Sequence, residues 1–222
     1  MKELFFNVIQ NPIFSVLQYI YNTIGVQDLG VSIIILTVLI RIVLLPVFYK
    51  GAKDQSLMQK LQPKIKEIQE KHKENKQEQA RVLMELYKEH KVNPFSGFLL
   101  LLVQLPVFIA LFQIFTNQAL GLAFDSHSFL GLINLGTKNL YLAAFAAILQ
   151  YAQSKMMLPK KQGNTGKGNP MESIGKTMVI VGPVFTIIIL INLPAALGLY
   201  WLVSNAFSLA QQFYINKKMN AI

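Results

Sequence analysis

Between Asp28 and Lys50 the chain carries one charge, the guanidinium of Arg41, inside the 21-residue apolar run LGVSIIILTVLIRIVLLPVFY. At about 1.5 Å rise per residue, a helix of that length reaches across a bilayer core of about 30 Å. An arginine in that core costs from about 2.5 to more than 10 kcal/mol, according to whether water or protein reaches it. Arginine does not shed its proton to escape the penalty. Either the segment does not span a membrane, or the fold keeps a wet, polar cavity inside one.

Composition argues for the membrane. Hydrophobic residues make up 53% of the chain and charged residues 14%, against about 25% charged in an ordinary soluble domain. Residues 95–115 carry no charge. Nor do the 40 residues Thr177–Asn216, which Asn192-Leu193-Pro194 breaks into two helices joined by a tight turn. The 16 uncharged residues between Lys138 and Lys155 make a further, short span. The predicted fold is all-α and polytopic, with five transmembrane helices at 29–49, 94–116, 138–156, 176–191 and 195–215.

Charge sets the orientation. Segments 50–93, 155–176 and 217–222 hold eighteen of the 21 Lys and Arg, while the segments on the opposite side hold two. Basic residues collect on the cytoplasmic side, which puts the amino terminus outside and the carboxyl terminus inside. The net charge of +10 is then mostly topology, with an attraction for anionic lipids or RNA at the inner face. It does not indicate DNA as a partner.

Catalysis has no candidate residues. The absence of cysteine excludes disulfides, thiolate chemistry, cysteine-bound metals and a lipoprotein anchor. His72, His90 and His127 are scattered without ligand spacing, so no metal site is predicted. There is no glycine-rich phosphate loop for a cofactor, no nucleophile with a base, and no carboxylate in any span.

Outside the spans, residues 1–28 lack signal-peptide character, because Lys2 is followed at once by Glu3 and no small-residue cleavage site follows. Ile13, Phe14, Val16, Leu17, Ile20, Tyr21 and Ile24 recur at helical spacing. They predict an amphipathic helix at the outer interface, opened by Asn11-Pro12. A sixth weak span here would break the charge asymmetry. Residues 50–93 read as a cytoplasmic antiparallel helical hairpin, with Leu57, Leu61, Ile65 and Ile68 facing Ala80, Leu83, Met84 and Tyr87. Pro63 should bend its first arm or interrupt a hydrogen bond. Residues 117–137 form an outer loop, 157–175 a cytoplasmic loop containing the mobile linker PKKQGNTGKGNP, and 216–222 a short basic tail.

The polar residues within the spans carry the functional prediction. Thr37 and Arg41 share a face of the first span. Gln104 sits near the middle of the second, Gln150 and Gln153 lie three apart on the third, and Trp201, Ser204, Asn205 and Ser208 line one face of the fifth. If these faces converge, Arg41 stands in a groove of amides, hydroxyls and an indole, with water or carbonyls satisfying its donors. The duller reading has Arg41 snorkel to the cytoplasmic headgroups. Against it, Tyr49 marks the inner end of the span, eight residues or about 12 Å away at helical rise. Gln104 and Gln150 have a plain role too, as interhelical hydrogen bonds of about 0.6 kcal/mol each.

The ordered set Gly30, Thr37, Arg41, Pro46, Gln62-Pro63, Leu86-Tyr87-Lys88, Asn93-Pro94, Gly97 and Gln104-Leu105-Pro106-Val107-Phe108 extends this pattern. It continues with Gln153-Ser154-Lys155-Met156, Pro183, Leu199-Tyr200-Trp201, Ser204-Asn205 and Gln211-Gln212. The chain resembles the YidC/Oxa1/Alb3 membrane-protein insertases over about residues 28–215. That resemblance implies a bacterial cell-membrane protein with five core helices and a groove open to cytoplasm and lipid but closed outside. Arg41, Gln153 and Trp201 fall where the family's groove residues fall. It further implies nascent membrane proteins as substrates, with the ribosome, the Sec translocon and the signal recognition particle machinery as partners. The chain carries no large periplasmic domain and no lipoprotein cysteine, and its ten residues after Gln212 make a ribosome-binding tail doubtful. Two other classes compete: a transporter or channel for an anionic solute, which predicts repeated halves, and a passive ribosome or partner scaffold, which predicts no need for Arg41.

Overall fold

The computed structural model describes residues 2–117, 123–156 and 170–220, and nearly all of them are helical, as the all-α prediction requires. Helix α1 (Lys2–Phe5), a π-helical turn (Phe6–Gln10) and α2 (Asn11–Thr23) run on as one stretch, so α2 begins at Asn11 with Pro12 in its first turn, as predicted, but it continues a π turn and Asn11 does not cap it. Pro12 has no N–H, and its ring crowds the carbonyl four residues back. The π turn takes up that misfit, with the Asn11 amide bonding the Phe6 carbonyl five residues before it. Leu17, Ile20 and Tyr21 are buried, and the rings of Phe14 and Tyr21 stand edge-on to Phe124 at 6.1 and 5.2 Å. Val16 and Ile24, predicted on that face, are exposed. The buried stripe packs against α3, α6 and Phe124.

Asp28 starts α3 (Leu29–Val43) by accepting the Val31 amide at 2.9 Å. The single helix predicted over 29–49 is corrected here. It stops at Leu44, and α4 (Leu45–Lys71) leaves at 70°. Pro46 supplies the reason, since it cannot donate to the Ile42 carbonyl; Leu44 (φ −88°, ψ 3°) leaves helical geometry and Pro46 sits in the first turn of the new helix. The 15 residues of α3 therefore cover only about 22 Å.

The arm thus begins at Leu45 and not at residue 50. Helix α4 continues through Pro63 to Lys71, and α5 (Lys76–Glu89) returns against it, capped by Asn75, which accepts the Glu78 amide at 3.1 Å. The left-handed Lys91 (φ 52°) closes α5, where Val92 N donates to Tyr87 O at 2.9 Å. The arm has its own core of Leu61, Ile65, Leu86, Tyr87 and Val92, flanked by Leu57, Met58, Ile68 and Leu83. Met84 and Ala80, predicted to face it, are exposed. Burial pushes the Tyr87 hydroxyl above its ordinary value, while hydrogen bonds from Arg81 hold the exposed Glu78 carboxyl below the usual range.

Helix α6 (Ser96–Thr116) follows, then a two-stranded antiparallel turn, β1 (Ser128–Phe129) against β2 (Ile133–Asn134). Helices α7 (Leu140–Met156), α8 (Pro170–Leu190) and α9 (Ala195–Asn220) complete the order. Helix α8 starts six residues before the predicted 176, and α9 runs through most of the predicted tail 216–222. Of the predicted linker, 159–169 lies outside the described residues. Among the described helices, α6 alone is long and apolar enough to cross a membrane (21 residues, mean hydropathy 2.5), and the bent pair α3–α4 makes a second candidate.

The main core joins α2, α3, α6, α7 and α9. Ala143, Ala146 and Ala147 of α7 are buried, and a Cβ on Gly198 of α9 would lie 3.4 Å from that of Leu142. Small residues let these two helices approach closely. Below this core the arm is tied on by polar bonds. Ser96 donates to the buried Asp54 at 2.5 Å, and Gln212 donates to Ser56 at 2.7 Å and to Asn216 at 2.9 Å.

Candidate functional site

Arg41 sits in the last turn of α3, and only 5% of its surface is exposed. Its Nη1 is buried without a hydrogen-bond partner among the described residues. No carboxylate pairs with it there, since the ion pairs found are those of Arg81 with Glu78 and Glu85 in the arm. The ring of Phe48 lies 4.3 Å from the guanidinium carbon, and the Tyr200 hydroxyl is within electrostatic reach. An unsatisfied buried donor ordinarily costs about 1–3 kcal/mol, and more when charged. The site therefore holds a charge that the protein itself leaves incompletely satisfied.

The other predicted residues fall into two groups. In the first, Gln104 of α6 donates to the Tyr200 hydroxyl on α9, and Ser204, one turn beyond Tyr200, is buried. Thr37 is buried beside Arg41 on α3, but its hydroxyl bonds back to the Ile33 carbonyl at 2.6 Å and so presents no free donor. In the second group, Gln150 of α7 accepts from Thr186 of α8 at 2.6 Å and from the Trp201 indole of α9 at 3.2 Å. Asn205 donates to the Ala146 carbonyl at 3.0 Å. Gln153 is partly buried one turn from Gln150 and joins neither group. Trp201 links the second group to α6, its ring edge-on to Phe108 at 5.2 Å.

Residue spacing missed Phe48, Tyr200 and Thr186 as members of the site. Thr186 was visible as a hydroxyl inside an uncharged run. Phe48 was not, because its contact depends on the bend at Leu44.

Short contacts hold the 123–139 segment to the helix ends opposite Arg41. Ser126 N donates to the Tyr21 hydroxyl at 2.8 Å, and Leu130 N to the second oxygen of Asp28 at 2.5 Å. Ala195 N and Ala196 N, at the start of α9, donate to the Thr137 and Leu135 carbonyls at 2.8 and 3.0 Å. The 123–139 segment thus lies over the end of α2 and the starts of α3 and α9.

The family model described as 60Kd inner membrane protein matches residues 19–221, from α2 to the end of α9. The chain belongs to this family. The membership covers every site residue named above. The protein is similar to the membrane protein insertase YidC of Fusobacterium nucleatum, 36% identical over 213 residues, which covers 95% of this chain and 98% of that one. It is also similar to the membrane protein insertases YidC of Geobacter sulfurreducens (32% over 219 residues) and Geobacter metallireducens (36% over 220 residues). In both comparisons 97% of this chain matches 38% of the relative, so the chain spans well under half the length of those proteins.

Proposed function

We propose that this 60Kd inner membrane protein family member is a non-enzymatic membrane protein insertase of the bacterial cell membrane. The observation that carries the reading is Arg41, a buried guanidinium with an unpaired Nη1 and no carboxylate partner among the described residues. In support, the 123–139 segment is bonded to the start of α3, the end opposite Arg41, which this reading takes as the outer end. The names of the relatives support the same activity.

In this reading five helices, α3 with the start of α4, α6, α7, α8 and α9, cross the bilayer with the amino terminus outside. The polar groups at Arg41, Thr37, Gln104, Ser204, Gln150, Gln153, Trp201 and Asn205 line a groove that opens toward cytoplasm and lipid. A short hydrophilic outer segment of a nascent membrane protein enters from the cytoplasm, and Arg41 attracts its acidic groups. The outer cover shortens the low-dielectric path that remains to be crossed. The apolar part of the substrate then moves laterally into lipid, driven by about 25 cal/mol per Å² of apolar area removed from water. The arm α4–α5 receives substrate from the ribosome, the signal recognition particle machinery or the Sec translocon, and the basic inner face holds anionic lipids.

The test is reconstitution of the purified chain alone in liposomes, scoring insertion of a small single-span protein with an acidic outer segment. Arg41→Ala should lower its insertion about tenfold or more with normal folding, and Arg41→Lys should do less harm because the charge survives. Full activity of Arg41→Ala would remove the charge role. A passive scaffold would insert nothing by itself. An anion transporter would instead move solute without substrate protein.

A further inference from the structure

Arg41 lies two residues from the end of α3, and the bend at Leu44 turns the chain away at 70°. The inner interface is therefore nearer than the distance to Tyr49 along a straight helix implied. A long arginine side chain in that position ordinarily reaches toward headgroups, yet this one is 5% exposed. Something keeps it in. In a straight helix, residues 41 and 48 would stand about 10.5 Å apart along the axis. The Pro46 bend carries Phe48, itself only 7% exposed, back over the guanidinium at 4.3 Å. An arginine over an aromatic face within about 6 Å is an attractive pair, stronger when desolvated.

We propose that Phe48 is a positioning residue that holds the Arg41 charge inside the bundle against its pull to the inner headgroups. It thereby sets the preference for substrates whose outer segments are acidic. The ring lies 4.3 Å from the guanidinium carbon, and Nη1 stays buried beside it without a hydrogen-bond partner among the described residues, so a substrate carboxylate would have to enter the bundle to reach it. This rests on the insertase reading, with the bend, Phe48 and Arg41 acting as one unit. The rival account has Arg41 held by the carbonyls at the negative end of α3, in which case Phe48 is ordinary packing.

The experiment uses the full chain in liposomes and two versions of one single-span substrate, with its outer segment carrying either acidic residues or the matching amides. The readout is the ratio of acidic to amide insertion. Phe48→Leu and the volume-matched Phe48→Met should each lower that ratio by roughly 2- to 30-fold, the range of a cation–π contact, while Phe48→Trp keeps it. In an Arg41→Ala background, Phe48→Leu should change the ratio no further. The proposal is overturned if Phe48→Leu and Phe48→Met leave the ratio unchanged. It is overturned too if Phe48→Trp lowers the ratio equally, or if the loss persists undiminished without Arg41. If Arg41→Ala itself leaves the ratio intact, the groove reading fails and takes this one with it.

Discussion

At the scale of single residues, a close approach fixes how the β1–β2 hairpin seats on α3. Gly30 lies in the first turn of α3, and a Cβ there would collide with the Phe129 ring of β1. Gly30→Ala should destabilise the protein by about 1–3 kcal/mol, the usual cost of overpacking, seen as a lower melting temperature in detergent. Residues of this scale were unevenly legible. Arg41, Gln104, Gln150 and Trp201 announced themselves because a polar or amphipathic group in an uncharged run breaks a strong pattern, and the structure gives each a polar or aromatic partner across helices or across the bend. Phe48 is one aromatic among 15 phenylalanines, and only its three-dimensional return over Arg41 distinguishes it. Thr37 shared the right face but spends its hydroxyl on its own helix.

At the scale of elements, the arm is held by few bonds, and these are asymmetric. Asp54 and Ser96 are each 5% exposed and bonded at 2.5 Å, joining α4 to the first residue of α6. Removing the donor leaves a buried carboxyl short of a partner, whereas removing the acceptor leaves only a hydroxyl unsatisfied. Ser96→Ala should therefore cost more than Asp54→Ala, each in the range of about 1–3 kcal/mol. The double variant should cost less than the sum, as a double-mutant cycle by chemical denaturation would report. The arm's periodicity gave its antiparallel pairing away, since Leu57, Leu61, Ile65, Ile68, Leu83 and Tyr87 do meet. The boundary between arm and first span did not show. An apolar run through Leu44 looks continuous, and Pro46 fits equally a kinked helix or a broken one until neighbouring helices choose. The same blindness applied before Pro12, where a π turn leads into α2 without a break.

At the scale of the whole molecule, two hydrophobic cores share one chain, the bundle core and the arm core, and no residue belongs to both. Between them stand polar contacts from Asp54 to Ser96 and from Ser56 to Gln212, together with the helix α4 itself. All-α architecture was readable from composition, because charge was segregated into a few short segments. The docking of the 123–139 segment was not, because its hydrogen bonds run between backbone amides and groups far away in sequence, such as Leu130 to Asp28. Units with separate cores open separately. On heating, ellipticity should fall in two steps, the smaller one first and removed by deleting the arm between Gly51 and Val92; a single transition would show that the polar ties fuse the two cores into one cooperative unit.

The shared oxygens of Asp28 have one more consequence. One caps α3 and the other grips the β1–β2 hairpin, so the register of the helix bearing Arg41 is read by a carboxylate at its opposite end. Any rotation of α3 about its axis must break a bond at its first turn before the guanidinium in its last turn can change heading.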